Sequence, residues 1–450
     1  MELTLFVEHQ CNLRCTYCYT GEKFTRPMDS DTMRRAVDLA LKLPTSHLDI
    51  SFFGGEPLLR RDLVRETVDH AEHAVRNLDG RKPTLRFLMN TNATLLDDTD
   101  IELMAPPRSW TVFVSLDGPR DVHDRHRVHA SGKGSFDDVM AGLDKLRAQR
   151  IPFQLVAVVS TATAPHLGDT VAALAPLGAT KIILAPNFRD DWTEQSIRGL
   201  RSGLQNAGRS WMDLFRKGTT LPLEPLHTKI LTHLKGGIPC PSRCMMGGSE
   251  FCVTPRGRIY PCAQMVGEDT ADELVIGTVD TGLLPDRIAA LQAAKDRVEI
   301  TCEPCAIRDR CQSHCGCRHI ALSGKLGEIT AALCEIEAAF IDAADDVAEA
   351  LYQEQCQAFI DYYYKKSWVA SRGVSSPRSV DPTKPDRSGA IQTSTDRIVF
   401  RRAARVGPLV ANTLLAPRPS LGHARRSPVQ GEAPFGRKGR ATGIDLCAHV

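Results

Sequence analysis

Six apolar, β-rich runs alternate with stretches of helical period over residues 1 to about 225, and this alternation limits the fold more than any other feature. The runs are Leu3–Val7, Leu48–Phe53, Leu85–Asn90, Thr111–Leu116, Phe153–Ser160 and Lys181–Ala185. Between them, Asp31–Leu43, Arg60–Arg76, Phe136–Gln149 and Leu167–Leu177 repeat their apolar residues with a helical spacing. Ser30 or Asp31 is placed to cap the first helix, and Ser135 the one after the fourth strand. Strands that are apolar almost throughout, separated by helices, imply an α/β fold with a parallel sheet under a helical cover. Chemistry in α/β barrels sits at the C-terminal ends of the strands, so functional residues are sought there.

The first such end carries Cys11, Cys15 and Cys18, spaced C-x3-C-x2-C. A 4Fe-4S cluster ordinarily takes four cysteine ligands, one per iron. Three thiolates in one loop therefore leave one iron open to a ligand that is not protein. Structural zinc favours a C-x2-4-C pair closed by a second pair, and no second pair lies nearby. The chain has fifteen cysteines, grouped at 11–18, 240–262 and 302–334 with none between 18 and 240. Cysteines used only as small apolar residues would scatter, so the grouping points to metal ligation.

This loop, with Tyr17 just before its third cysteine, resembles the signature of the radical S-adenosylmethionine (SAM) superfamily. The resemblance implies a partial (β/α)6 barrel in which the open iron chelates the amino and carboxylate groups of SAM. One electron then cleaves SAM to a 5′-deoxyadenosyl radical. Gly54-Gly55-Glu56-Pro57, after the second strand, resembles the family's GGEP motif and implies contact with the SAM amino group. A double glycine also lets backbone approach a ligand closely, or simply makes a turn. Asn92, in Asn90-Thr91-Asn92-Ala93-Thr94, suits a ribose or a carboxylate; the family's third strand commonly ends in a similar run with glycine where Ala93 stands. Ser115-Leu116-Asp117-Gly118 and the following His123-Asp124-Arg125-His126-Arg127 are similar to segments of peptide-modifying members. By that resemblance Ser115 and Arg127 hold the SAM carboxylate and ribose region. The arginine fork pairs well with a carboxylate. Asp117 fixes the loop or faces substrate, and Tyr17 lies against adenine or packs the loop.

The second cysteine field reads Cys240-x3-Cys244-x12-Gly257-x4-Cys262, then Cys302-x2-Cys305-x5-Cys311-x3-Cys315, then Cys334. Residues 251–260 read as two short strands around a Pro-Arg-Gly turn. The pattern resembles the SPASM extension of radical SAM enzymes, with seven cysteines and the glycine matching. That resemblance implies two auxiliary 4Fe-4S clusters. The distal one takes Cys302, Cys305, Cys311 and Cys334. The nearer one takes Cys244, Cys262 and Cys315, with Cys240 as the eighth ligand that two four-cysteine clusters need. Were Cys240 not a ligand, the nearer cluster would keep an open iron. Cys252 and Cys317 are expected to be buried near the clusters, and Cys356 and Cys447 to take no part in chemistry.

Three regions follow: a radical SAM partial barrel at 1–225, a SPASM domain at 226–366 that ends in a long amphipathic helix from 335 to about 366, and a tail at 367–450. Trp192–His233, between barrel and SPASM, is helical in pattern. Its Arg189, Arg198 and Arg201 read as a solvated helix face, with substrate contact as the alternative. The tail is rich in Ser, Pro, Gly and Arg and lacks periodicity, so it is expected to be disordered. Residues 365–450 hold 16 Lys and Arg against 5 Asp and Glu, while the rest holds 40 against 49. A solvated basic tail is expected, and no nucleic-acid partner. No apolar run reaches the roughly 18 residues of a membrane span, and no signal sequence precedes the first strand, so a cytoplasmic protein is expected.

The architecture looks most like maturases of ribosomally made peptides and anaerobic sulfatase maturases. The expected reaction is hydrogen abstraction from a peptide residue, followed by oxidation to a crosslink, a thioether or an oxidised side chain. The expected partners are a precursor peptide or protein and a donor such as flavodoxin or ferredoxin. In sulfatase maturases an aspartate base commonly follows the cysteine corresponding to Cys262. Here Ala263-Gln264 follows, which disfavours formylglycine formation. The alternatives are a sulfatase-maturase-like or small-molecule radical SAM enzyme, and a non-catalytic iron-sulfur carrier. No separate peptide-recognition domain is expected ahead of residue 3.

Overall fold

The computed structural model describes residues 1–237, 244 and 246–365. Cys240 and the basic tail at 367–450 lie outside the described residues. Six parallel strands form the body: β1 (Glu2–Glu8), β2 (His47–Gly54), β3 (Thr84–Thr91), β4 (Trp110–Ser115), β5 (Phe153–Val159) and β6 (Ile182–Pro186), each paired with the next. All seven residues of β1 are buried, as expected of a central strand covered on both faces. The helices between them are α1 (Ser30–Leu41), α2 (Arg61–Asn77), α3 (Asp98–Met104), α4 (Arg120–His123), α5 (Phe136–Ala148) and α6 (Leu167–Leu174). In α2, Leu63, Val64, Val68 and Ala71 form the buried stripe that seats it on the sheet.

Local signals set the boundaries with small departures. The cap of α1 is Asp29, not Ser30 or Asp31, and its carboxylate accepts from Thr32 N at 2.7 Å. Ser135 precedes α5 but makes no capping bond. Its hydroxyl instead donates to the Arg127 carbonyl at 2.8 Å and meets His123 Nε2 at 3.0 Å.

Beyond β6 the chain runs through α7 (Glu194–Arg216), a two-residue strand β7 (Leu223–Glu224) and α8 (Leu226–Leu234). Strand β7 pairs parallel with β6, a seventh position that the helical pattern of 192–233 hides. The expected hairpin is present as β8 (Glu250–Val253) and β9 (Arg258–Tyr260), turning at Gly257 with φ +70°. It does not stand apart: β8 pairs parallel with β1 on the side opposite β2. Strands β10 (Gly277–Thr278) and β11 (Gly282–Leu283) extend the same sheet, which runs β11-β10-β9-β8-β1-β2-β3-β4-β5-β6-β7.

The rest is helical: α9 (Pro285–Asp296), α10 (Val298–Cys302), α11 (Gly316–Ser323), α12 (Ala331–Gln353) and α13 (Gln357–Tyr363). The single long helix expected from 335 to about 366 is two, broken where Gln355 takes φ +53°. Helix α12 lies along α7, so closely that a Cβ on Gly208 would come 2.9 Å from Val347 Cγ2. Arg201 ties the pair together, donating to Glu335 and Asp342 at 2.8 Å each. Arg198 pairs with Glu194 on its own helix, so of the three arginines noted in the sequence only Arg189 turns toward the strand ends. No described helix is long and apolar enough to cross a membrane.

One buried ion network joins α8, the second cysteine field and α12. Glu337 accepts from Lys229 Nζ at 2.6 Å, from Arg318 Nη1 at 2.5 Å and from Gln312 N at 2.9 Å. Burial alone would raise its carboxyl, but Lys229 and Arg318 outweigh that and hold it at about 2. Removing one member of a buried pair strands its partner at about 3–5 kcal/mol. Glu337→Ala should therefore lower unfolding stability by about that amount in denaturant titration. Because the folded value lies below the ordinary 4.5, the carboxylate's contribution is full above pH 4.5. It fades as pH falls toward 2, and Glu337→Gln should lose that acid-side slope.

Candidate active site

The C-terminal strand ends and the second cysteine field enclose one cavity of about 260 Å³. Its wall includes Cys11, Cys15, Cys18, Tyr17, Gly54, Gly55, Glu56, Asn92, Ser115 and Arg127, while Asp117 lies behind it. Cys262, Cys315 and Cys317 line the same cavity.

The double glycine serves the cysteine loop. A Cβ on Gly55 would lie 2.0 Å from the Gln10 carbonyl, and one on Gly54, at φ +136°, would lie 2.4 Å from that of Glu8. The end of β2 is thereby pressed onto the backbone leading into Cys11. Gly55 N donates to Glu8 O at 2.7 Å and Glu56 N to Gln10 O at 3.0 Å. The Glu56 carboxylate is turned inward and already engaged. It accepts from Asn92 N at 2.8 Å, Thr91 Oγ1 at 2.7 Å and Leu58 N at 3.1 Å. Burial pushes its carboxyl up to about 7 despite these bonds.

Asn92 braces the loop from the third strand. Its Nδ2 donates to Asn12 Oδ1 at 2.9 Å and lies 3.8 Å from Cys11 Sγ, while its Oδ1 accepts from Thr94. Asp117 is fully buried and ties four segments together. It accepts from the Tyr17 hydroxyl, from Arg127 Nε at 3.1 Å and from Val158 N at 2.9 Å, and its own N–H points to His123 Nδ1. Asp117 thus fixes the loop, the first of its two expected roles. Tyr17 packs beside Arg127, whose guanidinium sits 5.3 Å from the ring centre, while Arg127 Nη1 reaches 4.0 Å from Cys15 Sγ. Ser115 lines the cavity at the end of β4.

Two cavity residues had no role in the sequence reading. Lys23 Nζ donates to Cys18 Sγ at 2.9 Å. Burial would raise the Cys18 thiol, but Lys23 and Thr20 lower it below the ordinary value. By contrast, burial and the neighbouring Glu56 push Cys11 up to about 12. A lysine five residues past the third cysteine is the only sequence signal for this contact. Arg318 lies over the Phe188 ring at 4.7 Å. Arg189, noted earlier among the helical arginines, lies over Tyr19 at 5.2 Å.

The second field forms two groups. Cys302, Cys305, Cys311 and Cys334 lie within electrostatic reach of one another beside α10 and α12. Cys244 is buried in a cluster against which Cys262 and Cys317 pack. Among the described residues no three His, Cys, Asp or Glu side chains close on a single ion. A cluster binds its cysteines at four separate irons, so its ligands stand wider apart.

Residues 7–172 match the model of the radical SAM superfamily. The matched residues take in the three-cysteine loop, Gly54–Pro57 and Arg127. The chain is similar to an uncharacterized protein of Methanocaldococcus jannaschii, with 32% identity over 194 residues, 42% of this chain and 65% of that one. The chain thus spans just under two thirds of that relative. It is also similar to the serine-type anaerobic sulfatase-maturating enzyme of Klebsiella aerogenes, with 25% identity over 68% of this chain and 76% of that one. In fold it matches the structure of anSMEcpe with bound AdoMet, at TM-score 0.65 and 19% identity over 76% of this chain and 96% of that one. It also matches SuiB of Streptococcus suis bound to S-adenosylmethionine, at 0.53 and 14% over 74% and 76%.

The close approach at Gly55 yields a test. Gly55→Ala should displace the cysteine loop and cost the purified protein about four irons, one cluster's worth, with little change in far-ultraviolet circular dichroism. Full iron content and undiminished SAM binding in this variant would show that the loop accepts a side chain there.

Proposed function

We propose that this chain is a radical SAM/SPASM enzyme that modifies a peptide. The observation that carries the reading is the shared cavity. It brings the three-cysteine loop and the SAM-type motif residues onto the wall of the same cavity as Cys262 and Cys315. In this reading Cys11, Cys15 and Cys18 hold the first cluster. Cys302, Cys305, Cys311 and Cys334 hold the distal auxiliary cluster. Cys244, Cys262 and Cys315 hold the nearer one, with Cys240 as a further candidate ligand. When bound, these groups supply an electron, a hydrogen-abstracting deoxyadenosyl radical and a sink for the electron that the substrate gives up.

The chain's own residues position and shield. Gly54 and Gly55 seat the loop and, with Glu56, give the SAM amino group a polar wall. Arg127, held by Asp117, keeps its remaining N–H groups for a carboxylate. Asn92 and Ser115 offer hydrogen bonds to the ribose or the carboxylate, and Tyr17 gives a flat apolar face. Lys23 screens the thiolate charge of the loop.

Ala263 and Gln264 line the cavity where resemblance to sulfatase maturases leads one to expect an aspartate base. The carboxylates on the cavity wall are Glu56 and Glu250, and Glu56 is braced. These features favour a crosslink, thioether or similar oxidation over formylglycine. Names among the relatives, sulfatase-maturating enzymes and a structure of anSMEcpe with bound AdoMet and a peptide, support a protein or peptide substrate. A flavodoxin or ferredoxin is the proposed electron donor.

Anaerobic reconstitution and reduction should yield 5′-deoxyadenosine from SAM, followed by chromatography. Cys15→Ala should abolish it. Cys305→Ala should retain some cleavage but form no modified peptide by mass spectrometry. Equal loss of both activities in a folded Cys305→Ala protein would contradict the auxiliary role.

A further inference from the structure

Cys317 was expected only to be buried near the clusters. The structure places it more specifically. Its Sγ lies 3.2 Å from Cys315 Sγ, and the Cys262 side chain is its other sulfur neighbour. It therefore bridges two of the three described sulfurs assigned to the nearer cluster, and it faces the cavity.

Two sulfurs in direct contact are poorly placed to ligate separate irons. A 4Fe-4S cluster takes one cysteine per iron, and the body of the cluster then separates the ligating sulfurs. The Cys315–Cys317 contact is instead a thiol–sulfur hydrogen bond, in which Cys317 is the donor once Cys315 is a deprotonated ligand. Local backbone fixes the geometry. Cys315 caps α11 with extended backbone, and Cys317 is the second residue of the helix. Gly316 between them is packed tightly: a Cβ there would come 2.7 Å from Met246 Sδ, 2.9 Å from Leu326 Cδ1 and 3.2 Å from Met265 Cε. Cys317 therefore has little freedom to swing into a ligating position.

We propose that Cys317 is a positioning residue whose single S–H donates to the Cys315 sulfur and raises the reduction potential of the cluster that Cys262 and Cys315 hold. Hydrogen bonds to the sulfurs are one of the levers that set such potentials. A donor draws charge from the ligating sulfur and so favours the reduced cluster. The consequence is an auxiliary centre tuned to accept an electron from the cavity side. The inference rests on the reading that Cys262 and Cys315 are ligands.

The test uses the full chain, reconstituted anaerobically, with iron and sulfide counts and a redox titration followed by electron paramagnetic resonance. Cys317→Ala should keep the wild-type iron count while the potential of one cluster moves to a more negative value and the others stay. Cys317→Ser, which retains a donor, should lie between Cys317→Ala and wild type. Loss of about four irons in Cys317→Ala would overturn the proposal by making Cys317 a ligand. An unmoved potential would overturn it by removing the donor role. Full iron content in both Cys262→Ala and Cys315→Ala would instead show that the cluster assignment had failed, and the proposal with it.

Discussion

Backbone pairing along β1 is the constraint on which the rest depends. This strand is hydrogen-bonded to β2 on one side and to β8 on the other. Its C-terminal end carries the three-cysteine loop, and β8 leads through the hairpin to Cys262. The three-cysteine loop and Cys262 therefore hang from neighbouring strands of one sheet. The distance between them is set by strand spacing and not by a hinge between independent bodies. Helix α12, clamped to α7 through Arg201 and to α8 through Glu337 and Lys229, closes the arrangement from outside.

Within the cavity, the polar residues at the strand ends mostly satisfy one another. Glu56 holds Asn92 and Thr91, Asn92 holds Asn12, and Asp117 holds Arg127 and Tyr17. Buried polar groups need such partners, and here the partners come from different strands. The result is a set of loops ordered by one another's hydrogen bonds. Positive charge prevails on the wall, where Lys23, Arg127, Arg189 and Arg318 face Glu56 and Glu250. That balance suits a site whose clusters and thiolates bring negative charge of their own.

Much of this was legible in the sequence, and the reasons differ by feature. The six main strands were plain because β1 and β6 are wholly buried and the others keep a buried apolar centre or alternation. The cysteine loop and the glycine pair were plain because their chemistry leaves few other uses for such spacing. The pairing of β8 with β1 was hidden, since it joins residues almost 250 positions apart that carry no local mark of each other. The cap of α1 fell on Asp29, one residue before the expected pair, because Asp, Ser and Asp stand side by side and all can cap. The break at Gln355 was missed because the apolar period continues across it. The position of Lys23 five residues past Cys18 was too weak a signal, since a lone lysine in a polar loop is usually solvated.

The sheet also ends in a particular way. Its outermost members, β11 and β7, are two residues long, and Pro225, which has no N–H to donate, directly follows β7. A long sheet normally exposes rows of unpaired backbone groups that invite another chain to add on. Among the described residues the eleven strands end in two very short ones, which offer little backbone for another chain to add on.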